Sequence, residues 1–352
     1  MLGIAADIIK VFVLGAAGFL LAFLTTPLLT HFLYKYKLWR KEVRTKSVDG
    51  GELTLFKQFR TEGETSTPRF GGILIWGTVL ILAILFYFLS QVNIWGFSRL
   101  NFLNRSETWL PLFALVAASL LGMADDFLQV FGRGKYIGGG LGLKKRLAAV
   151  AVIGLIGGWW CFAKLGWNTL HIPGMGDITL GFWYIPLFIV VMLATYAGGV
   201  VDGLDGLAGG VFGSIFAAFA VIAFSLGQVN LAGFCAVILG AILAFLWFNI
   251  PPARFYMGET GTLGLCAVLT VIVFLTDSVL VLPIIGALLV VEAGSVIIQL
   301  VSKKLRHKKI FLAAPVHYHY EAKGWPHYKV TMRFWIIGIV AAIVGVAIRL
   351  LG

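Results

Sequence analysis

The chain has few charged residues for its length. Of its 352 residues only 12% are Asp, Glu, Lys or Arg, whereas 59% are hydrophobic. A soluble domain carries about 25% charged residues, so this chain has too few charges to cover a water-facing surface. That excludes an ordinary cytosolic enzyme and also a disordered or fibrous chain. The composition instead predicts a polytopic membrane protein.

Cysteine is also scarce: Cys161, Cys235 and Cys266 all lie inside apolar runs. The sequence has no CxxC motif and no Cys/His spacing typical of a zinc site. We therefore expect the three thiols to be small buried hydrophobic groups. The sequence lacks the pattern of a cleavable signal peptide as well, because its first apolar run is long enough to span a membrane.

Ten apolar runs are long enough to cross a membrane as helices, which takes about 20 residues. Strand-like alternation of apolar and polar residues is absent. The expected fold is therefore an all-α polytopic membrane protein, with a single integral-membrane domain over residues 1–352. The runs lie near residues 9–33, 70–90, 109–127, 146–163, 180–199, 206–226, 231–250, 261–277, 279–301 and 333–351.

The basic residues collect on one side of this predicted bundle. The chain has 28 Lys and Arg against 16 Asp and Glu, a net charge of +12. Ten spans place both termini on one side and five loops on the other, and the positive-inside rule makes the loops cytoplasmic and the termini extracytoplasmic. The loops, which contain 23 of the 28 basic residues, are 34–69, 128–146, 200–206, 251–261 and 302–333.

These scattered basic residues form no nucleic-acid-binding motif, so no nucleic-acid partner is expected. We interpret the basic loop 34–69 as a topology determinant that lies on anionic lipid. Direct contact with an anionic substrate is the alternative.

Several of the few acidic residues lie on the same side as the basic loops. Asp125 and Asp126 end the third span, Asp202 and Asp205 lie in a glycine-rich loop, and Glu259 opens the eighth span. Charges at membrane depth are costly and point to function. Each acid could instead have a purely structural role. Asp125 and Asp126 could pair with nearby cations, and Asp202 and Asp205 could belong to an ordinary turn. Glu259 could be a carboxylate that stabilises the start of a helix.

Two histidines, His317 and His319, lie in the last of these loops. They could bind a metal, contact a phosphate or lie at the membrane interface. Carboxylate oxygens suit Mg²⁺, which is commonly held by one or two carboxylates plus substrate phosphates, and Lys or Arg can stabilise a transferring phosphoryl group. Five acids and two histidines on one face therefore predict phosphate chemistry at the cytoplasmic membrane surface.

Glu292 lies well inside the ninth apolar run. It is the one acid that fits a transporter better, because transporters place ionisable residues near the bilayer midplane. An interhelical hydrogen bond explains it equally well. The sequence has no clear internal repeat of the kind that many transporters show.

These acidic and histidine motifs, in this order, resemble the phospho-N-acetylmuramoyl-pentapeptide-transferases, bacterial enzymes that make lipid I. That family belongs to the wider polyprenyl-phosphate N-acetylhexosamine-1-phosphate transferase superfamily. The similarity runs over nearly the whole chain, and the tail segments resemble the muramoyl-pentapeptide branch in particular. The matching segments are 67–72, Asp125-Asp126-Phe127, 202–207, 245–259, 314–319, 323–326 and 333–337.

The resemblance implies a ten-helix protein of the bacterial cytoplasmic membrane with a cytoplasmic Mg²⁺ site. It implies transfer of phospho-N-acetylmuramoyl-pentapeptide from UDP-N-acetylmuramoyl-pentapeptide to undecaprenyl phosphate, with release of UMP, and a homodimer as one expected assembly. The implied catalytic residues are Asp125, Asp126, Glu259 and His317, with Asp126 and Glu259 as metal ligands. The implied substrate-binding residues are Lys144, Arg146, Asp202, Asp205, Asn249, Tyr256 (stacking on uracil) and His319.

The chain departs from the family pattern at four positions. Glu259 replaces an Asp, Tyr318 the middle histidine of a triplet, Gly199 an Asn and Glu64 a Lys. These changes suggest a divergent member with a changed donor sugar or reduced activity. One alternative is a sibling enzyme that transfers N-acetylglucosamine-1-phosphate to the same lipid; the other is an inactive or transport-like membrane protein.

Overall fold

The computed structural model describes residues 2–41, 65–92, 97–104, 107–133 and 140–352. Helices dominate these ranges, and two short antiparallel strands, β1 (Thr169–Ile172) and β2 (Gly176–Thr179), form a hairpin. The helices are α1 (Leu2–Lys35), α2 (Gly72–Gln91), α3 (Trp109–Val130), α4 (Leu143–Leu165), α5 (Tyr184–Gly198), α6 (Leu207–Ser225), α7 (Val229–Asn249), α8 (Gly258–Leu275), α9 (Leu282–Ile285), α10 (Ala287–Arg306), α11 (Val316–Ala322) and α12 (His327–Leu351).

Nine helices within the described ranges are long and apolar enough to cross a membrane. The prediction of an all-α polytopic membrane protein is therefore confirmed. The expected count of ten spans is not reached by this measure. The run at 279–301 is divided at Gly286, and its longer helix, α10, contains Glu292 and a basic last turn. The orientation of the termini and loops stays a prediction.

The run at 279–301 differs from the others because α10 is amphipathic. Glu292 and Gln299 face inward from α10 and are buried. Three cations, Lys303, Lys304 and Arg306, occupy its last turn. The mean hydropathy of an apolar run does not reveal this polar face, because it ignores on which side of the helix each residue lies.

Helix α8 lies at the centre of the bundle, with 94% of its most apolar stretch buried, against 22% for α12. It packs closely against α3. A Cβ added at Gly122 of α3 would overlap the carbonyl of Glu259 in the first turn of α8, so only glycine permits this approach. Small residues serve the same purpose at many helix contacts in membranes. The packing fixes the N-terminus of α8 against the end of α3.

The three cysteines are buried and form no disulfide. The prediction that they are buried hydrophobic groups is therefore confirmed. None of them lies among the charged residues described next.

Candidate active site

Asp126 caps the N-terminus of α8. Its Oδ2 accepts hydrogen bonds from the backbone N–H and the hydroxyl of Thr260, both at 2.8 Å, and its Oδ1 accepts one from Arg69 Nε at 3.1 Å. The side chain is fully buried. A helix N-terminus favours a negative charge through its free N–H groups. Asp126 therefore joins α3, α8 and the segment that precedes α2.

The neighbouring Asp125 faces another set of partners. Gln129 Nε2 donates to its Oδ2 at 2.6 Å, and the backbone N–H of Leu141 donates to its Oδ1. Arg146 Nη2 lies 3.4 Å from the same Oδ2. The buried guanidinium of Arg40 donates to Gln129 Oε1, so Gln129 links a second cation to this acid. Adjacent residues on a helix point about 100° apart, which explains why the two aspartates contact different elements.

Arg146 connects Asp125 with Glu259. Its Nη1 lies 2.6 Å from Glu259 Oε1, and its Nε donates to the carbonyl of Leu141 at 2.9 Å. Arg146 is buried, whereas the Glu259 side chain is 21% exposed. The planar guanidinium suits such a bridge because its donors form a rigid fork. Lys144, on the same helix, is exposed, and its substrate contact stays a prediction.

Asp202 lies beside Glu259 at the start of α8. Its Oδ2 accepts a hydrogen bond from the backbone N–H of Gly258 at 3.2 Å. Burial raises the pKa of Asp202 to about 7, and the positive charge of Arg69 opposes this shift. The charges of Asp126 and Glu259 raise it further, so the acids at this end of α8 influence one another.

Asp205 faces away from that cluster. Its Oδ2 accepts a hydrogen bond from the Ala253 N–H at 3.2 Å, and its own N–H donates to His327 Nε2 at 3.0 Å. Asp202 and Asp205 thus have different partners within the fold, and the nucleotide contact predicted for both stays a prediction. Asp205 ties its loop to the segment after α7 and to α12.

Asn249 and Tyr256 stabilise the surrounding loops. Asn249 Oδ1 accepts from the Gly206 N–H at 2.9 Å, and its Nδ2 donates to the Phe255 carbonyl at 2.8 Å. The N–H of Tyr256 donates to the Pro68 carbonyl at 2.8 Å, next to Arg69. Asn249 thus has a structural use, while its substrate contact and the stacking of Tyr256 stay predictions.

The two predicted histidines have different environments. His317 is fully buried, with Nδ1 2.9 Å from Glu292 Oε2. His319 accepts a hydrogen bond from the Leu312 N–H at 3.1 Å and lies against the Phe311 ring. Partial burial lowers the pKa of His319, and Lys323 lowers it further. His319 therefore joins α11 to the loop that precedes it, and its substrate contact stays a prediction.

Known proteins match this chain over most of its length. The family described as "Glycosyl transferase family 4" matches residues 108–277. A phospho-N-acetylmuramoyl-pentapeptide-transferase from Geobacillus sp. (strain WCH70) is 34% identical over 94% of this chain and 95% of its own length. Proteins of the same name from Chloroflexus aggregans and Levilactobacillus brevis are 32% and 35% identical, over 98% and 81% of this chain and 91% and 85% of their own.

The chain belongs to the phospho-N-acetylmuramoyl-pentapeptide-transferase family. The resemblance inferred from the motifs is thereby confirmed. The four departures remain features of this member of the family. Gly199 has room for a Cβ, which would lie 3.5 Å from Cys266 Sγ, while Glu64 lies outside the described residues.

The acids of this family member suit Mg²⁺ by their chemistry. Within the described residues, Asp202 Oδ1 and Glu259 Oε2 hold no hydrogen bond, so each has an oxygen available to a cation. Both oxygens of Asp126, a predicted ligand, are already bonded to Arg69 and Thr260. No group of three or more His, Cys, Asp or Glu among the described residues is arranged to hold a metal. The donor set therefore fits an ion that takes one or two carboxylates and completes its shell with phosphate or water.

Sequence reasoning missed Arg69 and Gln129 as members of this site. Arg69 lies in the matched segment 67–72, but its sequence neighbours are uncharged, so no local pattern indicated that it pairs with an acid. Gln129 is four residues after Asp125 and so lies on the same face of α3. A polar residue at that spacing near the end of an apolar helix was the available signal.

Proposed function

We propose that this protein transfers phospho-N-acetylmuramoyl-pentapeptide from its UDP carrier to undecaprenyl phosphate, giving lipid I and UMP for peptidoglycan synthesis. The relatives' name supports the transferred group. The observation that carries the proposal is the cluster at the start of α8. There Asp126 and Glu259 are paired with Arg69 and Arg146 at 3.1 Å and 2.6 Å.

The charge balance of this cluster supports Mg²⁺ as a cofactor. Arg69 and Arg146 pair directly with its acids, and Arg40 reaches Asp125 through Gln129. The cluster has four carboxylates, which belong to Asp125, Asp126, Asp202 and Glu259. When all four are ionised, they exceed the three guanidinium groups by one negative charge. A diphosphate would be repelled by such a site. When bound by Asp202 and Glu259, Mg²⁺ would neutralise charge on the donor diphosphate.

The protein's own residues would orient the reactants. The acceptor phosphate is already ionised at neutral pH, so the reaction needs no strong general base, and Asp125 serves to orient the lipid phosphate or Arg146. Arg146 and Arg69, fixed by the acids, present cationic surface to the phosphates. Tyr256 is half-buried, and its backbone N–H bonds to the carbonyl of Pro68, the residue before Arg69. Its ring would stack on uracil.

The proposal is tested with the purified full-length protein, undecaprenyl phosphate and Mg²⁺. We expect UMP release with UDP-N-acetylmuramoyl-pentapeptide and none with UDP-N-acetylglucosamine. Release with the second donor alone would identify the sibling transferase. No release with either donor would support an inactive or transport-like protein.

We also propose that the protein works in the bacterial cytoplasmic membrane and pairs as a homodimer. Only 17% and 22% of the most apolar stretches of α1 and α12 are buried, so both helices present apolar surface to lipid or to a second copy. Cross-linking in membranes tests the assembly. A species of only monomer mass would contradict the dimer and leave the transferase proposal intact.

A further inference from the structure

Glu292 and His317 form a pair that is closed off from solvent. Both side chains have no exposed surface, and Glu292 Oε2 lies 2.9 Å from His317 Nδ1. Glu292 comes from the second turn of α10 and His317 from the first turn of α11. Removing such groups from water is costly, and polar groups so placed usually serve a purpose.

The other nitrogen of this imidazole, Nε2, has no hydrogen-bond partner among the described residues. It faces the backbone of Gly203, where an added Cβ would overlap the ring. The hydroxyl of Tyr318, the next residue, donates to the Gly203 carbonyl at 3.1 Å. Nε2 therefore points at the segment that carries Asp202, whose carboxylate lies beside Glu259.

The partner at Nδ1 determines what Nε2 can do. An ionised carboxylate only accepts hydrogen bonds, so beside one, Nδ1 donates, and Nε2 donates to another acceptor when the ring carries its second proton. A carboxylate that fixes the orientation and hydrogen position of a histidine recurs in catalytic and metal sites. Buried polar atoms without a partner are uncommon, and Glu292 Oε1 and His317 Nε2 are both such atoms among the described residues. A ligand at the Asp202–Gly203 segment would supply the partner of Nε2.

We propose that Glu292 is a positioning residue: it holds His317 so that Nε2 faces the Asp202–Gly203 segment, where, in the doubly protonated ring that a neighbouring carboxylate favours, Nε2–H donates to a phosphate oxygen of the bound substrate. This inference depends on the proposed function. The glycine at position 203 is needed for this arrangement, because the side chain of any larger residue would displace the His317 ring.

The first test is a double-mutant cycle on UMP release by the full-length protein. We expect Glu292→Ala to lower kcat by about 10- to 100-fold, as loss of such a supporting partner typically does, with KM for the UDP donor changed less. Glu292→Gln should retain most activity because its amide oxygen still accepts from Nδ1. In a His317→Ala background, Glu292→Ala should change kcat less than about twofold, because groups that act as a unit are not additive.

Ser295→Ala is the matched control. Ser295 is buried on the same helix one turn away, and among the described residues its hydroxyl bonds only to the Glu292 backbone carbonyl, at 2.8 Å. We expect activity within twofold of wild type. Equal losses from Glu292→Ala with and without His317, or a loss in Ser295→Ala as large as that in Glu292→Ala, would overturn the proposal.

The second test does not need turnover and so separates this inference from the proposed function. Nitrogen NMR of ¹⁵N-histidine-labelled protein should show a His317 signal with hydrogen on Nδ1, assigned by its loss in His317→Ala. In Glu292→Ala the ¹⁵N shifts of His317 should instead indicate a mixture of the two tautomers. Thermal unfolding confirms that each variant measured is folded. A wild-type ring without hydrogen on Nδ1, or a signal unchanged by Glu292→Ala, would overturn the positioning role even if UMP release is normal.

Discussion

The two ends of α8 both carry charged groups, but they are organised differently. Beyond its C-terminus, Asp277 Oδ1 accepts from the His171 backbone N–H at 3.0 Å, and Asp177 lies 2.7 Å from the ring of the same histidine. Arg349 Nε donates to Ser278 at 3.2 Å. These contacts tie the β1–β2 hairpin and α12 to the loop after α8, and both acids there have a hydrogen-bond partner.

At the N-terminus of α8, by contrast, Asp125 and Glu259 share Arg146, and carboxylates outnumber cations. At the C-terminal end Asp177 is exposed and Asp277 half-buried, so water can solvate both acids. At the N-terminal end Asp125 and Asp126 are buried, and within the described residues Asp202 Oδ1 and Glu259 Oε2 hold no hydrogen bond. The difference teaches that the N-terminal cluster, not the C-terminal one, combines buried acids with oxygens available to a ligand.

The largest effect is expected from Asp126→Asn. The amide still accepts a hydrogen bond at the start of α8, but the charge that pairs with Arg69 is lost. We expect UMP release per folded protein to fall by about 100-fold or more, as with the loss of a preorganised charged contact, and Tm to fall as well, because Arg69 loses its buried partner. Asp177→Asn at the other end is the control. Near-normal release by Asp126→Asn would show that this acid is structural.

Arg146→Lys comes next. Lysine keeps the charge but cannot bridge Asp125 and Glu259 with two nitrogens of one rigid group. We expect kcat/KM for the UDP donor to fall by about 10-fold, the cost of one charge-assisted hydrogen bond. Lys145→Ala, at an exposed neighbouring position, should stay within twofold. Full activity in Arg146→Lys would mean that only the charge matters.

Glu259→Asp restores the residue of the family pattern and should keep or raise activity. The exposed part of this side chain and its unbonded Oε2 suit an ion contact, which the shorter carboxylate can also make. The measurement is UMP release against Mg²⁺ concentration. Total inactivation would show that the longer side chain is required here, and an unchanged Mg²⁺ dependence would argue against this position as a ligand.

The smallest effect concerns pH and stability. The pKa of Asp202 is raised to about 7 from its ordinary value of 3.8. Folded protein therefore binds a proton at Asp202 more tightly than unfolded protein, so this group lowers stability as pH rises from about 4 to 7 and adds no further change above. Asp202→Asn should remove that slope from the pH dependence of Tm, whereas Asp177→Asn should keep it. A slope unchanged in Asp202→Asn would contradict the raised pKa.

The motifs alone identified which acids belong to the candidate site. Helix geometry also predicted that the adjacent Asp125 and Asp126 point in different directions, as they do. The motifs did not predict the cations that pair with these acids. For Asp125 and Asp126 the partners are Arg146 and Arg69, and Arg69 was not among the predicted site residues. Glu292 was explained by an interhelical hydrogen bond or by transport, and the structure supports the first.

The amino-acid sequence by itself determined the membrane class, the helical architecture and the family, because composition, apolar runs and motif order are local properties. Only the tertiary structure decided that Arg69 meets Asp126 across 57 residues and that Arg146 meets Glu259 across 113. It also decided that the run at 279–301 breaks into two helices with a buried acid. Such pairings depend on which helix faces pack together, and periodicity along one segment contains no information about its distant partners.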